Sequence, residues 1–333
     1  MTLQLISSSQ HAGSGPAIVT HAGPFHCDEV GAVAALLWIR GHQTRVCRTR
    51  DRDDLLVWAK RPNTTMVDVG GAYAPDATMG AVQLDHHQKG GAGQRPNGVP
   101  FSSFGLVWQV YGLRIVEAIL DEAGIWGVDH KAVAQAIDEA LVQAVDSGDT
   151  QCAETNSTVR ATSQKISWYG ISLAVHQLNP PAVPGQKLGS FDVAFVKAVE
   201  WFDVVLYGAV TSAAAEWLAM EAVRGAAKEQ PGPVLVLGDY VDWLATVCRE
   251  FPEILFVVFK NPENTWMVQQ VPVTLGSPKG RKALPAAWSA MRDEEFQKAT
   301  GVSDAVFCHL ACFIAGAKSR EGAMLLAKLA VEA

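Results

Sequence analysis

The segment AIVTHAGPFHCDE, residues 17–29, joins a strand pattern to the start of a helix pattern. Its first four residues, Ala17–Thr20, are apolar or β-branched and predict a short buried strand. Helical spacing of apolar residues resumes from Val30 to Ile39, and Gly41 gives that helix a stop signal. A strand that leads through a polar loop into a helix is the repeating unit of an α/β sheet.

Further strands follow along the first part of the chain. The sequence predicts them at Arg45–Arg48, Thr64–Val69 and Ala81–Leu84, with a helix at 53–60. Because helical patterns alternate with these strands, we predict an α/β fold built on a parallel sheet.

Side chains of the types that bind metals lie at or just beyond three of the four strands. They are His21, His26 and Asp28 after the first strand, Asp68 at the third, and Asp85, His86 and His87 after the fourth. Ligands bind at the carboxyl edge of open α/β sheets, so we expect these side chains to converge there. Imidazole suits Mn, Co and Zn, and carboxylate suits Mg and Mn. The mixed set predicts a divalent-metal site that favours Mn²⁺, with Mg²⁺, Co²⁺ or Zn²⁺ as alternatives.

A pair of ions is the arrangement that this set suggests. Two ions about 3.5–4 Å apart clamp both oxygens of a phosphoryl displacement and supply hydroxide near neutral pH. Asp68 is placed to be the carboxylate they share. A further acidic ligand is expected after the next helix, where Asp146 is our candidate and Asp149 the alternative. Glu29 has a plainer explanation, because an acid in the first turn stabilises a helix.

Composition restricts the class of protein. The chain has 333 residues, of which 49% are hydrophobic, and its formal net charge is -7. This predicts two globular domains and confines any nucleic-acid contact to a local basic cleft. The six cysteines form no CxxC pair, which favours reduced thiols and a cytoplasmic location. The sequence shows neither a secretory signal nor a confident membrane span, so we expect no membrane partner.

The predicted organisation has three parts. Residues 1–16 are expected to form a flexible tail, and 17–185 the metal-binding catalytic domain. The best linker candidate is the stretch 179–185, which is rich in proline. Residues 186–333 are expected to form a helical connector and a smaller α/β domain that binds substrate. The sequence leaves open whether the chain forms a homo-oligomer.

A family resemblance runs through nearly the whole chain from about residue 17. The segments that carry it are THAGPFHCDE (20–29), RTRD (48–51), VDVGG (67–71), LDHHQ (84–88), FSSFG (101–105), AVD (144–146), VQQVPV (268–273), RKALP (281–285) and REGA (320–323). In this order they resemble the MYG family, the DHH-like metal-dependent exonucleases named for the melanocyte-proliferating gene. The resemblance implies a DHH-type phosphoesterase domain and 3′–5′ exonuclease action on RNA.

The resemblance also implies individual roles. The implied metal ligands are His21, His26, Asp28, Asp68, His86 and Asp146. Asp68 and Asp85 join or orient the cluster, and His87 faces the substrate phosphate. His26 stands where the broader DHH superfamily has an aspartate in its first motif, which makes the site less negative and softer.

Substrate contacts are predicted from cations, hydroxyls and one histidine. The candidates are Arg95, Ser102, Ser103, Arg281, His309, Lys318 and Arg320. Arginine or lysine near flexible glycine-rich backbone can approach a phosphate closely. The Cys308 to Cys312 region has the alternative interpretation of a core strand with buried cysteines, because it lies in an apolar run.

Three functions are compatible with these residues. The first is a phosphodiesterase that trims RNA or short oligonucleotides by two-metal hydrolysis. The second is a hydrolase of pyrophosphate, dinucleotides or other small phosphoesters, which the acidic net charge favours. The third is a metal-loaded nucleotide-binding protein without turnover.

Overall fold

The structure is a computed structural model that describes residues 3–6, 8–9, 13, 15–150, 158–159, 166–167 and 170–333. The chain divides into two compact units, Met1–Ala214 and Ala215–Ala333. The predicted domain boundary at 185 lies inside the first unit. The division falls instead within one long helix, whose first part packs into the core of the first unit.

Among its described residues, the first unit contains eight strands and six helices before that long helix. Its strands are β1 (Gln4–Ile6), β2 (Ala17–Thr20), β3 (Arg45–Arg48), β4 (Thr64–Val67), β5 (Tyr73–Ala74), β6 (Val82–Leu84), β7 (Thr158–Val159) and β8 (Ile166–Ser167). Its helices are α1 (Cys27–Arg40), α2 (Arg52–Ala59), α3 (Ser103–Ala123), α4 (His130–Ile137), α5 (Gln143–Asp149) and α6 (Ile171–His176). A π-helical turn, Asp138–Val142, joins α4 to α5.

The main sheet has the order β1-β3-β2-β4-β6-β5, and all neighbours are parallel except β5 with β6. The fold class predicted from the sequence is therefore confirmed. Because β3 and β4 lie on opposite sides of β2, the strand order reverses at β2. Such a reversal opens a crevice at the carboxyl ends of the strands, where ligands bind in open α/β sheets.

Part of the predicted N-terminal tail is ordered structure. Residues 4–6 form the edge strand β1, which pairs in parallel with β3. The prediction of a tail over 1–16 is wrong for this strand, because the alternation in so short a segment is too weak to recognise. Backbone hydrogen bonds to a neighbouring strand supply the stability that local sequence does not.

Helix α1 is the centre of the core in the first unit. Residues 27–37 of this helix are all buried, because the sheet covers one face and α3 another. A methyl group at Gly31 would lie 3.0–3.1 Å from Phe202 and Phe104. The glycine therefore allows α3, which carries Phe104, and the long helix, which carries Phe202, to approach α1 closely. Helix α1 is thereby held rigidly, with its first turn at the end of β2.

Helix α3 is the longest apolar helix that precedes the domain division. It spans Ser103–Ala123 and ends at Gly124 in a left-handed conformation. It is long and apolar enough to cross a membrane, but 61% of its apolar 18-residue stretch is buried within the protein. Core helices share this composition.

The second unit is a smaller α/β domain, as predicted. Helix α7 (Phe191–Glu229) leads into it, and its elements are β9 (Val234–Asp239), α8 (Leu244–Glu250), β10 (Phe256–Lys260), β11 (Trp266–Gln270), a 3₁₀ turn (Ala286–Trp288), α9 (Asp293–Thr300), β12 (Ala305–Cys308), β13 (Ile314–Ala317) and α10 (Arg320–Glu332). The sheet order is β12-β13-β11-β10-β9, and only β9 and β10 are parallel. Cys308 and Cys312 are buried at the β12–β13 hairpin, which agrees with their interpretation as core residues.

Candidate metal centre

The candidate ligands meet at the carboxyl ends of β2, β4 and β6. His21, Asp68 and Asp85 each follow one of these strands directly. The three strands are adjacent in the sheet, so the side chains that follow them share one edge. The position is the crevice created by the reversal of strand order at β2.

Asp68 is the centre of the cluster. Its Oδ2 lies 3.2 Å from Nε2 of His21, and its Oδ1 lies 3.3 Å from both Nε2 of His86 and Nδ1 of His87. Burial alone would raise the pKa of this carboxyl, but the three histidines hold it well below its usual range. Its φ of 54° is left-handed, a conformation that aspartate tolerates better than most residues and that is common at functional sites.

Three overlapping groups of side chains have the geometry to hold a cation. Within each group the ligand atoms lie within 4.8 Å of one another. The groups are His21, His26, Glu29 and Asp68; then Asp68, His86 and His87; and finally His26, Asp28 and Asp149. Asp68 belongs to two of them, as expected for a shared carboxylate, and His26 also belongs to two.

The donor atoms fit divalent cations. Asp28 Oδ1 is buried and has no hydrogen-bond partner within the described residues. Burial raises the pKa of Asp28 well above its usual value, and the charges of Asp68 and Asp149 raise it further. An acidic cluster with a buried, unpartnered carboxylate oxygen favours positive charge at its centre, and imidazole with carboxylate is a donor set for Mn²⁺ and related metals.

Asp149, and not Asp146, is the acid of α5 that reaches this cluster. Asp149 Oδ2 lies 3.2 Å from Nε2 of His86, and its Oδ1 lies 3.8 Å from Nδ1 of His26. Asp146 is fully buried and accepts hydrogen bonds from Ser102 Oγ at 2.5 Å and from the Gly105 amide at 3.0 Å. The structure therefore brings Asp149, the alternative, into the cluster, whereas Asp146 belongs to none of the ligand groups and its oxygens bind the start of α3.

The same contacts correct two predicted substrate residues. Arg95 is buried and donates to Asp146 Oδ2 at 2.7 Å and to both oxygens of Asp138 at 2.6–3.2 Å. Ser102 donates its hydroxyl to Asp146. Neither side chain is available to a substrate, because both hold α3 in place.

Ser103 touches the cluster directly. Its backbone amide lies 3.3 Å from Asp28 Oδ2, and its hydroxyl lies 3.4 Å from Asp68 Oδ1. The side chain is buried, so it supports the two acids rather than meeting substrate on the surface. The partial positive charge at the N-terminus of α3 also favours these carboxylates.

Asp85 orients His87. Asp85 accepts from the Gly71 amide at 2.6 Å, and its Oδ1 lies 2.9 Å from Nδ1 of His87. Hydrogen bonds to Asp68 and Asp85 raise the pKa of His87 to about 9, although partial burial opposes the change. The His87 side chain is 61% exposed, so it can present a hydrogen-bond donor to a bound phosphate.

His21 has partners on both sides of its ring. Its Nε2 lies 2.9 Å from Glu29 Oε1, and its Nδ1 lies 2.8 Å from Nη2 of Arg50. Burial lowers the pKa of His21, but the contacts with Asp68 and Glu29 outweigh it and raise the pKa to about 9.

Glu29 and Arg50 are site residues that the sequence analysis did not assign. Glu29 also accepts from the His26 amide at 2.8 Å, so it caps the helix as well as joining a ligand group. Its place in the THAGPFHCDE segment was the available signal. Arg50 lies in RTRD, a segment whose position after β3 puts it beside β2.

The substrate candidates of the second unit differ from one another. The guanidinium of Arg281 donates to the carbonyls of Phe251, Ile254 and Cys248 at 2.6–3.0 Å, so it caps the end of α8 and is not free for phosphate. His309, Lys318 and Arg320 are exposed. Their role in substrate binding stays a prediction.

A cavity of about 440 Å³ adjoins the cluster. It is lined by His86, the glycine-rich loop 90–94, Pro100, Phe101 and Thr150. Its volume falls within the range of ordinary small-molecule sites.

Comparison with known proteins agrees with the resemblance seen in the sequence. The model of the MYG1 exonuclease family, described as "Uncharacterised protein family (UPF0160)", matches residues 17–331. The MYG1 protein of Saccharomyces cerevisiae is 29% identical over 335 residues, which cover 94% of this chain and 95% of the yeast protein. The MYG1 exonuclease of Homo sapiens is 27% identical over 339 residues, covering 94% and 85%.

Among solved structures, the pGpG-specific phosphodiesterase PggH of Vibrio cholerae aligns with a TM-score of 0.29 and 13% identity, over 95% of this chain and 98% of PggH. The match to the family model extends over nearly the whole chain, and it confirms the predicted class of enzyme, a phosphoester hydrolase. The chain therefore belongs to the MYG1 exonuclease family.

Proposed function

We propose that this protein is a metal-dependent phosphodiesterase that removes nucleotides from the 3′ end of RNA or short oligonucleotides. The observation that carries the proposal is the meeting of Asp68 with His21, His86 and His87 at one sheet edge. Asp68 belongs to two ligand groups at once, which is the property required of a carboxylate that joins two cations.

Each group of residues has a distinct part in this proposal. His21, His26, Asp28, Asp68, His86 and Asp149 would hold the cations, with Glu29 as a further donor. Divalent cations there supply Lewis-acid chemistry and lower the pKa of water. Mn²⁺ is the metal that we favour, because the donors combine imidazole and carboxylate.

The residues around the ligands bind and orient the substrate. His87 donates a hydrogen bond to the phosphate, and Asp85 fixes the ring that does so. The cavity beside His86 gives room for the nucleotide next to the scissile bond.

Small phosphodiesters and dinucleotides are the second candidate substrates. The net charge is -7, and Arg95 and Arg281 are held by protein groups. With these arginines not free to bind phosphate, a short substrate is favoured, because long RNA binds through many phosphate contacts.

We keep the cytoplasm as the predicted location, on the strength of the cysteine pattern.

The test is hydrolysis of a 5′-end-labelled single-stranded RNA with purified protein and Mn²⁺. The proposal expects stepwise shortening from the 3′ end, and no reaction in excess chelator. Asp68→Asn should abolish it, since asparagine tolerates the left-handed backbone but lacks the shared charge. Asp76→Asn is the matched control, because Asp76 is exposed and outside every ligand group. Intact RNA under every divalent metal would contradict the proposal, and release of nucleotides from dinucleotides alone would favour the second substrate class.

A further inference from the structure

Arg50 lies against the loop that carries His21 but belongs to none of the ligand groups. Its Nε donates to the Ala22 carbonyl at 2.7 Å, and its Nη2 lies 2.8 Å from Nδ1 of His21. The other ring nitrogen of His21 faces Asp68 and Glu29. Arg50 is therefore one imidazole ring away from the central carboxylate.

The charge of Arg50 has no carboxylate partner among the described residues. Its Nε donates to a carbonyl oxygen, its Nη2 lies beside a ring nitrogen, and the residue is exposed. Two other arginines differ: Arg48 pairs with Asp192 at 2.7 Å, and Arg95 pairs with Asp146 at 2.7 Å. A guanidinium carries five N–H donors, so most of those on Arg50 remain available to a ligand.

The ligand cluster is acidic, and the guanidinium of Arg50 lies beside it without a carboxylate partner among the described residues. This arrangement suits an anion that contacts both Arg50 and the metal ions held by the cluster. A lone exposed arginine would carry a large loss of side-chain entropy on binding. The hydrogen bond to the Ala22 carbonyl and the contact with the His21 ring already restrict this side chain, which reduces that loss. Its planar group matches two oxygens of a phosphate at once, which a lysine cannot do.

We propose that Arg50 is a phosphate-binding residue, which holds non-bridging oxygens of the substrate phosphate beside the metal centre. This rests on the proposed function for the identity of the substrate, but the site itself requires only a phosphate anion. It takes the place of the contact predicted for Arg95, whose guanidinium is held by Asp138 and Asp146.

The direct test is binding of 5′-AMP, the expected product of RNA trimming, to Mn²⁺-loaded protein by isothermal titration calorimetry. Arg50→Gln should weaken 5′-AMP binding about 10- to 100-fold, the loss expected for charge-assisted hydrogen bonds. Arg50→Lys keeps the charge without the planar pair of donors, so its affinity for 5′-AMP should lie between those of wild type and Arg50→Gln. Arg52→Gln is the matched control. Arg52 is exposed at the first turn of α2, and the substitution makes the same change of charge two residues away.

A companion measurement of Mn²⁺ affinity shows that the variants retain the centre. The proposal is supported when Arg50→Gln loses 5′-AMP affinity and keeps Mn²⁺ affinity, while Arg52→Gln keeps both. It is overturned if Arg50→Gln binds 5′-AMP as wild type does, if Arg52→Gln loses as much, or if wild type binds no 5′-AMP.

Kinetics separate this proposal from the proposed function. If wild type trims RNA, Arg50→Gln should raise KM at least about 10-fold by the same hydrogen-bond loss. If wild type binds 5′-AMP through Arg50 but leaves RNA intact, the exonuclease proposal fails and the phosphate site stands. If wild type trims RNA and Arg50→Gln has an unchanged KM, the phosphate-site proposal fails and the exonuclease proposal stands.

Discussion

Substitution of the two aspartates of α5 should have opposite consequences for stability and metal affinity. Asp146 and Asp149 lie three residues apart in one helix, and both are mostly buried. Asp146 binds Arg95, Ser102 and Gly105, whereas Asp149 faces His86 and His26. Asparagine has nearly the same shape as aspartate, so each substitution mainly removes a charge.

Asp146→Asn breaks a buried ion pair and leaves the guanidinium of Arg95 partly uncompensated. Removing one partner of such a pair costs about 3–5 kcal/mol, and the lower end applies because Arg95 keeps Asp138. About 3 kcal/mol corresponds to a fall in Tm of roughly 6–12 °C, at about 2–4 °C per kcal/mol for a unit of this size. Mn²⁺ affinity measured well below the melting range should stay within about 10-fold of wild type, a change typical of residues outside the ligand set.

Asp149→Asn should do the reverse. Burial raises the pKa of Asp149 and the charge of Asp68 adds to it, so the ionised group is not a source of stability without metal. The Tm in chelator should therefore change little. Mn²⁺ affinity should fall by more than about 100-fold, the upper end for residues that only support a ligand.

Differential scanning fluorimetry in EDTA and calorimetric titration with Mn²⁺ give the two quantities. Wild type and Asp76→Asn are the references, since Asp76 is exposed and outside the cluster. Loss of Mn²⁺ binding in Asp146→Asn with an unchanged Tm would contradict the separate roles of the two acids. So would wild-type affinity in Asp149→Asn.

Three further perturbations test other contacts. The pKa of His87 is raised to about 9 in the folded protein from an ordinary value of 6.5, so its interactions stabilise the metal-free fold fully below pH 6.5 and are lost as the pH rises through 9. His87→Gln should therefore be less stable than wild type at pH 6, by less than about 1 kcal/mol for so exposed a pair, with the gap closing above pH 9 in chelator melts; a constant gap would contradict this. Arg281→Met should lower the free energy of unfolding in urea titrations by about 1.5–3 kcal/mol while the KM for RNA stays unchanged, because Arg281 binds carbonyls at the end of α8; a raised KM without loss of stability would restore its predicted role. Gly105→Ala would place a methyl group against the Asp146 carboxylate, so it should lower Tm, and its effect should not add to that of Asp146→Asn; additive losses would mean that the two sites are independent.

The central ligands were predictable because their positions follow from local patterns. His21 and Asp68 each follow a short apolar strand, and parallel strands bring their ends together. Strand β2 and helix α1 could be read from residues 17–39 alone, since apolar spacing changes from the period of a strand to that of a helix.

The choice between Asp146 and Asp149 could not be made from the sequence. Both lie near the end of α5, and a difference of three residues leaves them on overlapping faces of a helix. What separates them is Arg95, which is 51 residues away from Asp146 in the chain. No local pattern reports which acid a distant arginine will pair with.

The contacts of Arg50 and Arg95 could not be foreseen from the sequence for the same reason. Arg95 lies in a glycine-rich loop that looks suited to phosphate, yet it is buried between two carboxylates. Arg50 lies in a segment without such a signal, and only the adjacency of β3 and β2 puts it beside His21. Contacts between residues far apart in the chain decide which arginine pairs with a carboxylate and which one does not.

Anomalous diffraction from crystals grown with Mn²⁺ would locate the ions and their ligands. We expect ions at the carboxyl ends of β2, β4 and β6, with Asp68 touching more than one of them and with His86 and Asp149 among the ligands. Anomalous peaks held by Asp146, or peaks away from this sheet edge with Asp68 contacting no ion, would contradict it.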